Sequence, residues 1–362
     1  MTRIPHSRLA ALENADFHTL KATPETVHWG YFDNSMEPAL TIDSGDLVYV
    51  ETVTHHAGDA PDLMMDEGIR KIYETITEEQ REPGPHLLTG PIGVKGAEPG
   101  DVLEVQILAL EPRMPYGSNL AAPWGFLADD FNNEERVTIY KIDAEQNWLT
   151  AQFAYQYPTE YYVAGKIYEP DEVNRVEALK NMQIPARLHV GIIGVAPPTN
   201  GKVDSTPPDV HGGNVDNWQI GEGATMYYPV HAAGALLSLG DAHLAQGNGE
   251  ISGTAVEASL NCLIKVTLRK DMKLSLPVLE TDEDWMIHAF HEDLEEAVRI
   301  GAHETLKFLK TYYGVSNEDG YSFLSTAADI HITQVVNGNK GIHITIPKKF
   351  ILPNTEFNIH PD

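Results

Sequence analysis

The sequence predicts a mainly β protein, with a β-sandwich or jelly-roll-like body followed by a smaller α+β section at the C-terminus. The strongest observation is the strict alternation of apolar and polar residues over 254–270, which indicates a long antiparallel strand with one buried face. Two Gly-Asp steps, at residues 45–46 and 100–101, precede stretches rich in β-branched residues, as tight turns before strands do. Apolar residues recur at helical spacing only later in the chain.

This change in pattern predicts two parts. Residues 1–275 would form a β-rich body that carries the functional site, and residues 276–362 would form a mainly helical section packed on that body.

The strand predictions within the body rest on apolar stretches that end at breaks. Residues 47–53 and 102–108 follow the two Gly-Asp turns, and residues 188–195 stop before a Pro-Pro pair. In the alternating stretch, Cys262 takes the apolar side. We therefore interpret Cys262 as a buried small hydrophobic residue rather than a nucleophile.

The chain changes character after residue 280. The acidic residues 282–284 suit a helix N-terminus, because carboxylates interact favourably with the helix dipole. Helical spacing continues to Gly314, which is a natural C-cap because glycine accepts the left-handed conformation. We predict one long helix between these points, a second short helix near residues 321–328 and a strand over residues 342–346.

The composition excludes several classes of partner. The 362 residues carry a formal net charge of −28, from 25 basic and 53 acidic residues. Such a surface repels nucleic acid and anionic membranes, so neither is expected as a partner. The sequence contains no apolar run of about 18 residues and no secretory signal pattern, which predicts a cytoplasmic protein. Its single cysteine excludes an intramolecular disulfide and a cysteine-rich metal site.

Two glycine-rich stretches, residues 209–216 and 238–250, carry the candidate chemistry. Glycine permits tight turns that let neighbouring side chains converge, and imidazole with carboxylate suits a divalent metal such as zinc. Asp241 and His243 are separated by one residue, so both face the same side if the preceding strand continues. Turn-capping carboxylates and ordinary histidines are the alternative. The candidate metal ligands are His211, Asp216, Asp241 and His243.

A metal ion with an open position can activate water and polarise a carbonyl group, so hydrolysis of a small carbonyl compound is the first hypothesis. Glu250, in the glycine-rich loop, and Glu257, on the polar side of the alternating strand, are both candidates for the general base. Glu257 could instead be solvated. The amide side chain of Asn214 could donate a hydrogen bond to the oxyanion.

Several motifs resemble the acetamidase/formamidase family of small-amide hydrolases. These motifs lie at residues 28–33, 90–93, 206–216, 240–250, 253–257 and 325–337. The family usually has Gln-Gly-Asp-Gly-Glu where this chain has Asn248, a departure that would alter the site if that position served the metal. The resemblance implies hydrolysis of formamide or acetamide to ammonia and a carboxylate, with a divalent ion, zinc in the first place, in a homo-oligomer.

Two other functions compete with this hypothesis. One is hydrolysis of a cyclic amide, a lactam or a ureide, which a roomy pocket would favour. The other is a non-catalytic ligand-binding β-sandwich with structural calcium, which an all-oxygen ligand shell would favour. A second, calcium-like site could form from His55 and His56 with Asp59 and Asp62.

Overall fold

The computed structural model describes residues 15–157 and 163–352. The first residues, which the sequence analysis considered for a secretory signal, and residues 353–362 of the C-terminal section lie outside this part. The strands, in chain order, are β1 (Phe17–Leu20), β2 (Val27–Trp29), β3 (Tyr31–Phe32), β4 (Leu40–Ile42), β5 (Leu47–Glu51), β6 (Leu87–Val94), β7 (Val102–Pro112), β8 (Tyr116–Ala121), β9 (Arg136–Asp143), β10 (Trp148–Gln156), β11 (Ile184–Pro185), β12 (His189–Gly194), β13 (Val203–Asp204), β14 (Gly212–Asn214), β15 (Thr225–Pro229), β16 (Leu237–Ala245), β17 (Val256–Ala258), β18 (Leu260–Arg269), β19 (Val278–Glu280), β20 (Asp284–His291), β21 (Asp329–Gln334) and β22 (Lys340–Pro347).

The described strands form two large sheets and one small one. The nine-stranded sheet has the order β1-β5-β18-β7-β15-β19-β20-β22-β21. The eleven-stranded sheet has the order β11-β10-β9-β8-β17-β16-β12-β14, with β6 paired to β16, β2 and β4. Strand β13 pairs with β3. The pairing is antiparallel except for β1 with β5 and β4 with β6.

The main hydrophobic core draws side chains from both large sheets. Val48 and Ile264 come from the nine-stranded sheet, and Ile193 and Leu239 come from the eleven-stranded sheet; all four are fully buried. Burial of a large aliphatic side chain stabilises a fold by about 1.5–3 kcal/mol, so this layer is a main source of stability. The predicted mainly β class, with helices toward the C-terminus, is confirmed.

The helices are few and mostly near the C-terminus. They are α1 (Pro61–Met64), α2 (Glu67–Thr75), α3 (Leu294–Tyr313) and α4 (Asn317–Ala327), with short 3-10 turns at Ala57–Asp59, Glu78–Gln80, Ala128–Phe131 and Lys348–Phe350. Helix α3 covers β20 and β22, where Phe308 packs beside Trp285 at a ring-centroid distance of 5.3 Å. None of these helices is both long and apolar enough to span a membrane, as far as the described residues go.

The alternating stretch is two strands rather than one. Strand β17 belongs to the eleven-stranded sheet and β18 to the nine-stranded sheet, so the chain crosses between the sheets at Ser259. The prediction of a single long strand is therefore wrong, because one alternation of burial can continue through a change of sheet. The prediction that Cys262 is buried is confirmed; it is fully buried, and burial raises the pKa of its thiol to about 12.

The long helix begins later than predicted. Residues 284–291 form β20, which pairs with β19 and β22, and the helix begins at Leu294 behind the N-cap Asp293. Trp285 packs under α3, whereas its neighbour Met286 enters the core between the sheets. This alternation has the period of two that is typical of a strand, and the helix prediction overlooked it. The helix ends as predicted, with Gly314 left-handed at φ 66°.

The other predicted elements are observed with small shifts. The strands predicted at residues 47–53, 102–108, 188–195 and 342–346 are β5, β7, β12 and β22, and the short helix is α4. Strands β19 to β22 continue the nine-stranded sheet beyond residue 275. The division of the chain at that residue stays a prediction.

Candidate active site

The candidate site is built on β16, in the interior of the eleven-stranded sheet. His243 on β16 lies opposite His189 of β12 on one side and opposite Glu257 of β17 on the other. Asp241 precedes it by two positions on the same strand. The fold therefore places a row of ionisable side chains across three neighbouring strands, in a region where each of them is buried.

Three of the predicted ligands come together. Asp216, Asp241 and His243 each offer a ligand atom, and these atoms lie within 4.8 Å of one another. His243 Nε2 lies 3.4 Å from Asp241 Oδ2 and 3.1 Å from Glu257 Oε2. The expectation that the two residues on β16 meet one point holds geometrically, and Glu257 joins them rather than facing solvent.

The orientation of His243 is fixed by His189. His189 Nδ1 lies 2.5 Å from the carbonyl oxygen of Arg187, which can only accept, so this nitrogen carries the proton. Burial, followed by the nearby His243, lowers the pKa of His189 to about 3, so its ring is neutral. Its Nε2 lies 2.9 Å from His243 Nδ1 and 3.0 Å from Gln246 Oε1. His243 Nε2 is left to face the carboxylates, as a metal-ligating nitrogen does when its other nitrogen is held.

The carboxylate oxygens and the imidazole nitrogen that face one another here are all atoms that can ligate a metal ion. Among the described residues, Asp216 Oδ1, Asp241 Oδ1, His243 Nε2 and Glu257 Oε2 have no hydrogen-bond partner. Burial opposes charge on His243, but Glu257 and Asp241 together hold its pKa well above the usual range. The negative charge of Glu257 and Asp241, which favours a proton on His243 Nε2, would equally attract a metal cation to this position. The donor set of one imidazole and several carboxylates suits a divalent metal ion.

The backbone of the site is held in an uncommon conformation. Asp216, Asp241, Glu250 and Asn337 have φ values of 51°, 48°, 46° and 63°. Residues other than glycine seldom adopt the left-handed region, and such positions cluster at functional sites where the surroundings enforce them. The side chains of these four residues meet at the site, although residues elsewhere, such as Leu179 and Leu236, also have positive φ.

Asn337 ties two of the strained carboxylates together. Its Nδ2 donates to Asp216 Oδ2 at 3.1 Å and to Glu250 Oε2 at 3.2 Å. Gln246 Nε2 donates to the backbone oxygen of Asp216 at 2.6 Å. Burial, and next the neighbouring Asp216, raises the pKa of Glu250 well above its usual range. The surroundings of Glu250 therefore favour the protonated form of its carboxyl group.

A second cluster shares Asp241. His55, His86 and Asp241 also offer ligand atoms within 4.8 Å of one another, and all three are buried. Sequence reasoning placed His55 in a different cluster and missed His86 and His189. A histidine beside an otherwise apolar strand, as in Pro85-His86-Leu87 and Leu188-His189-Val190, is the signal that was available.

The predicted calcium-like cluster is not assembled. His56 Nδ1 lies 2.8 Å from Asp59 Oδ2, which also accepts from Ser118 Oγ at 2.6 Å. Asp62 instead accepts two hydrogen bonds from Arg175, at 2.9 and 2.6 Å. Asp62 and Asp59 are therefore engaged with different partners.

The two remaining predicted residues differ in position. His211 belongs to neither cluster of the described part; its ring packs edge-on against Phe32 at 5.0 Å, and burial lowers its pKa to about 3. Its role as a ligand stays a prediction. Asn214 Nδ2 donates to the backbone oxygen of Thr206 at 3.0 Å, and Asn214 lines the cavity described next.

A cavity of about 820 Å³ opens beside the two clusters. Its wall includes His55, His86, Asp241, Glu250 and Glu257, and also the buried Asn214, the part-exposed Asn337 and Lys340, and the exposed Trp124. The unusual Asn248 is exposed and lies outside this wall. The effect of this departure from the family pattern stays a prediction.

Comparison with known proteins identifies the family. The family model described as Acetamidase/Formamidase matches residues 18–202 and 199–351. The chain belongs to this family. The resemblance inferred from the motifs is thereby confirmed.

Three relatives show how close the similarity is. The chain is 28% identical over 335 residues to a formamidase from Methylophilus methylotrophus, covering 76% of this chain and 79% of that enzyme. It is 31% identical over 204 residues to an acetamidase from Mycolicibacterium smegmatis. This match covers 46% of this chain and 49% of that enzyme. The crystal structure of an acetamidase from Yersinia enterocolitica matches with a TM-score of 0.74 at 28% identity, covering 94% of each chain.

Proposed function

We propose that this chain hydrolyses the C–N bond of short aliphatic amides, with formamide and acetamide as the first candidates, and releases ammonia and a carboxylate. The observation that carries the proposal is the convergence of His243 Nε2 with carboxylate oxygens of Asp241 and Glu257 beside a substrate-sized cavity. Membership of the acetamidase/formamidase family supports the reaction class.

The residues have distinct roles in this proposal. Asp216, Asp241 and His243 hold a divalent ion, with zinc as the ion that the donor set fits best. When bound, such an ion supplies Lewis acidity toward a water molecule and a carbonyl oxygen. Glu250, on the cavity wall, takes the proton from the water and gives it to the departing amine.

Asn214 is proposed to bind the reacting amide. One of its Nδ2 hydrogens is used by the Thr206 carbonyl oxygen, so the second hydrogen remains for an oxyanion. Its Oδ1 is buried and has no hydrogen-bond partner in the described part of the chain. This oxygen suits the N–H of an amide substrate, which would orient the carbonyl group in the cavity.

A larger or cyclic amide is the second candidate substrate, and the cavity volume favours it. About 820 Å³ lies toward the upper end of the range for drug-sized ligands, about 300–1,000 Å³, and far exceeds what formamide fills. Ammonia release from formamide, acetamide and propionamide, compared with ring opening of a γ-lactam, would decide. A higher kcat/KM for the lactam would assign the cyclic substrate, and the reverse order would assign the short amides.

We expect the His243→Ala variant to lose bound metal and amide turnover together. Removal of the imidazole takes away the nitrogen that lies 3.4 Å from Asp241 Oδ2 and 3.1 Å from Glu257 Oε2. The measurements are metal content by mass spectrometry and ammonia release from formamide and acetamide, each before and after chelation.

The exposed His303 on α3 gives the matched control, because His303→Ala removes an imidazole far from this sheet position and should change neither quantity. Full turnover by metal-depleted wild-type protein would overturn the metal mechanism. An all-oxygen calcium site in place of the histidine-containing one would instead favour the non-catalytic alternative.

We also propose a cytoplasmic homo-oligomer without nucleic-acid or membrane partners. The net charge of −28 and the family resemblance support these statements. Sedimentation equilibrium of the purified chain gives the oligomeric state directly, and a mass equal to one chain would contradict the proposal.

A further inference from the structure

The carboxylate of Asp241 lies between two groups of histidines. Its Oδ2 lies 3.4 Å from His243 Nε2, on the side of the ion proposed above. Its Oδ1 lies 3.8 Å from His55 Nδ1, and its Oδ2 lies 3.9 Å from His86 Nε2. The three elements that supply His55, His86 and Asp241 are the segment after β5, the residue before β6 and the middle of β16.

We propose that Asp241 bridges two divalent ions, the second of which is held by His55 Nδ1, His86 Nε2 and a carboxylate oxygen of Asp241. This second site rests on the proposed hydrolytic function of the first, because both would serve the same cavity. The cavity wall includes all three of its ligands.

The spacing of these atoms fits ligation better than hydrogen bonding. Distances of 3.8 and 3.9 Å are too long for a hydrogen bond between nitrogen and oxygen. Two ligand atoms bound about 2.0–2.2 Å from a tetrahedral zinc ion lie about 3.3–3.6 Å apart. The observed distances exceed this range by a few tenths of an ångström, an amount that a side-chain rotation removes.

The surroundings orient His86 as a ligand. His86 Nδ1 lies 2.8 Å from Ser205 Oγ, and both side chains are buried. The hydrogen bond on Nδ1 holds the ring so that Nε2 points to Asp241, which is the arrangement that fixes ligating histidines in metal sites. The rings of His86 and His55 meet edge to face with centroids 4.9 Å apart, so each limits the rotation of the other.

An independent observation comes from Asp241 itself. Its Oδ1 is buried and has no hydrogen-bond partner among residues 15–157 and 163–352. A buried carboxylate oxygen without a partner is costly, and the left-handed backbone at φ 48° shows that the fold enforces its position. A carboxylate shared between two ions uses both oxygens, as in two-metal hydrolytic centres with ions about 3.5–4 Å apart.

Metal stoichiometry tests this proposal without relying on activity. The full chain, stripped by chelation and reloaded with Zn²⁺, should bind about two ions per chain, and His86→Ala should bind about one. Reloading with Mn²⁺ should give the spin-coupled electron paramagnetic resonance signal of a pair in the wild type and an isolated-ion signal in the variant. His86→Gln repeats the test if the alanine variant does not fold, and His303→Ala should bind as the wild type does.

The outcomes separate this inference from the proposed function. One ion per wild-type chain, retained by His86→Ala with an isolated Mn²⁺ signal, would overturn the second site and leave the first intact. No bound ion and no ammonia release from any amide would overturn the proposed function as well. Two ions in the wild type, with one lost in His86→Ala and one lost in Asp216→Asn, would support the bridged pair.

Discussion

The Gly191→Ala variant is expected to lose metal binding and at least about 100-fold of its turnover, although the substitution adds a single methyl group. A Cβ at Gly191 would lie 2.4 Å from His243 Cε1, 2.6 Å from the Asp241 backbone oxygen and 2.8 Å from Asp216 Oδ1. All three proposed ligands of the first ion would have to move. Two of them are in the left-handed conformation and have little freedom to do so.

Overpacking of this kind typically costs about 1–3 kcal/mol of folding free energy, so the melting temperature should also fall. Metal content, ammonia release and thermal unfolding measure the three effects. Gly247→Ala is the matched control, because a Cβ at Gly247 would have no heavy atom within 4 Å. A Gly191→Ala variant that keeps full metal content and turnover would show that the close approach is not needed.

The sequence predicts a structural element well where a single physical cause produces the sequence pattern. The Gly314 cap and the burial of Cys262 follow from local conformation and from alternation, and both are observed. The predicted start of α3 is wrong because Trp285 and Met286 point into two different buried layers. Both layers are apolar, so this stretch is an apolar run without a clear period. The crossing at Ser259 cannot be read from the sequence, because burial continues on both sheets.

The site shows the same division. Asp241 and His243 are close in sequence, so their common direction on β16 could be predicted. His55, His86 and His189 come from three other segments and meet β16 only through the sheet pairing and the loops above it. His86 and His189 stand out beside apolar or proline neighbours, and His55 beside Thr54 and His56, but these local patterns do not show that His55 and His86 share a partner in Asp241. Long-range assembly of this kind requires the fold.

The second large effect distinguishes the two candidate bases. Glu250→Gln is expected to retain bound metal and to lose about 10²–10⁴-fold in turnover, because it removes the carboxyl group that would transfer the proton. Glu257→Gln is expected to lose metal first, because Glu257 Oε2 lies 3.1 Å from His243 Nε2. Metal content and ammonia release on both variants make the comparison.

The pH profile adds a readout that loss of packing alone would not produce. Burial and the adjacent Asp216 raise the pKa of Glu250, so a base at this position would be deprotonated only above the usual glutamate range. Wild-type kcat/KM should therefore rise with pH through that raised pKa, and Glu250→Gln should lack this limb. The opposite result is that Glu257→Gln keeps its metal but loses the rise of kcat/KM with pH, while Glu250→Gln keeps that rise. Glu257 would then be the general base in place of Glu250. Asn337, which binds Glu250 and Asp216 alike, would then serve only to hold the metal site.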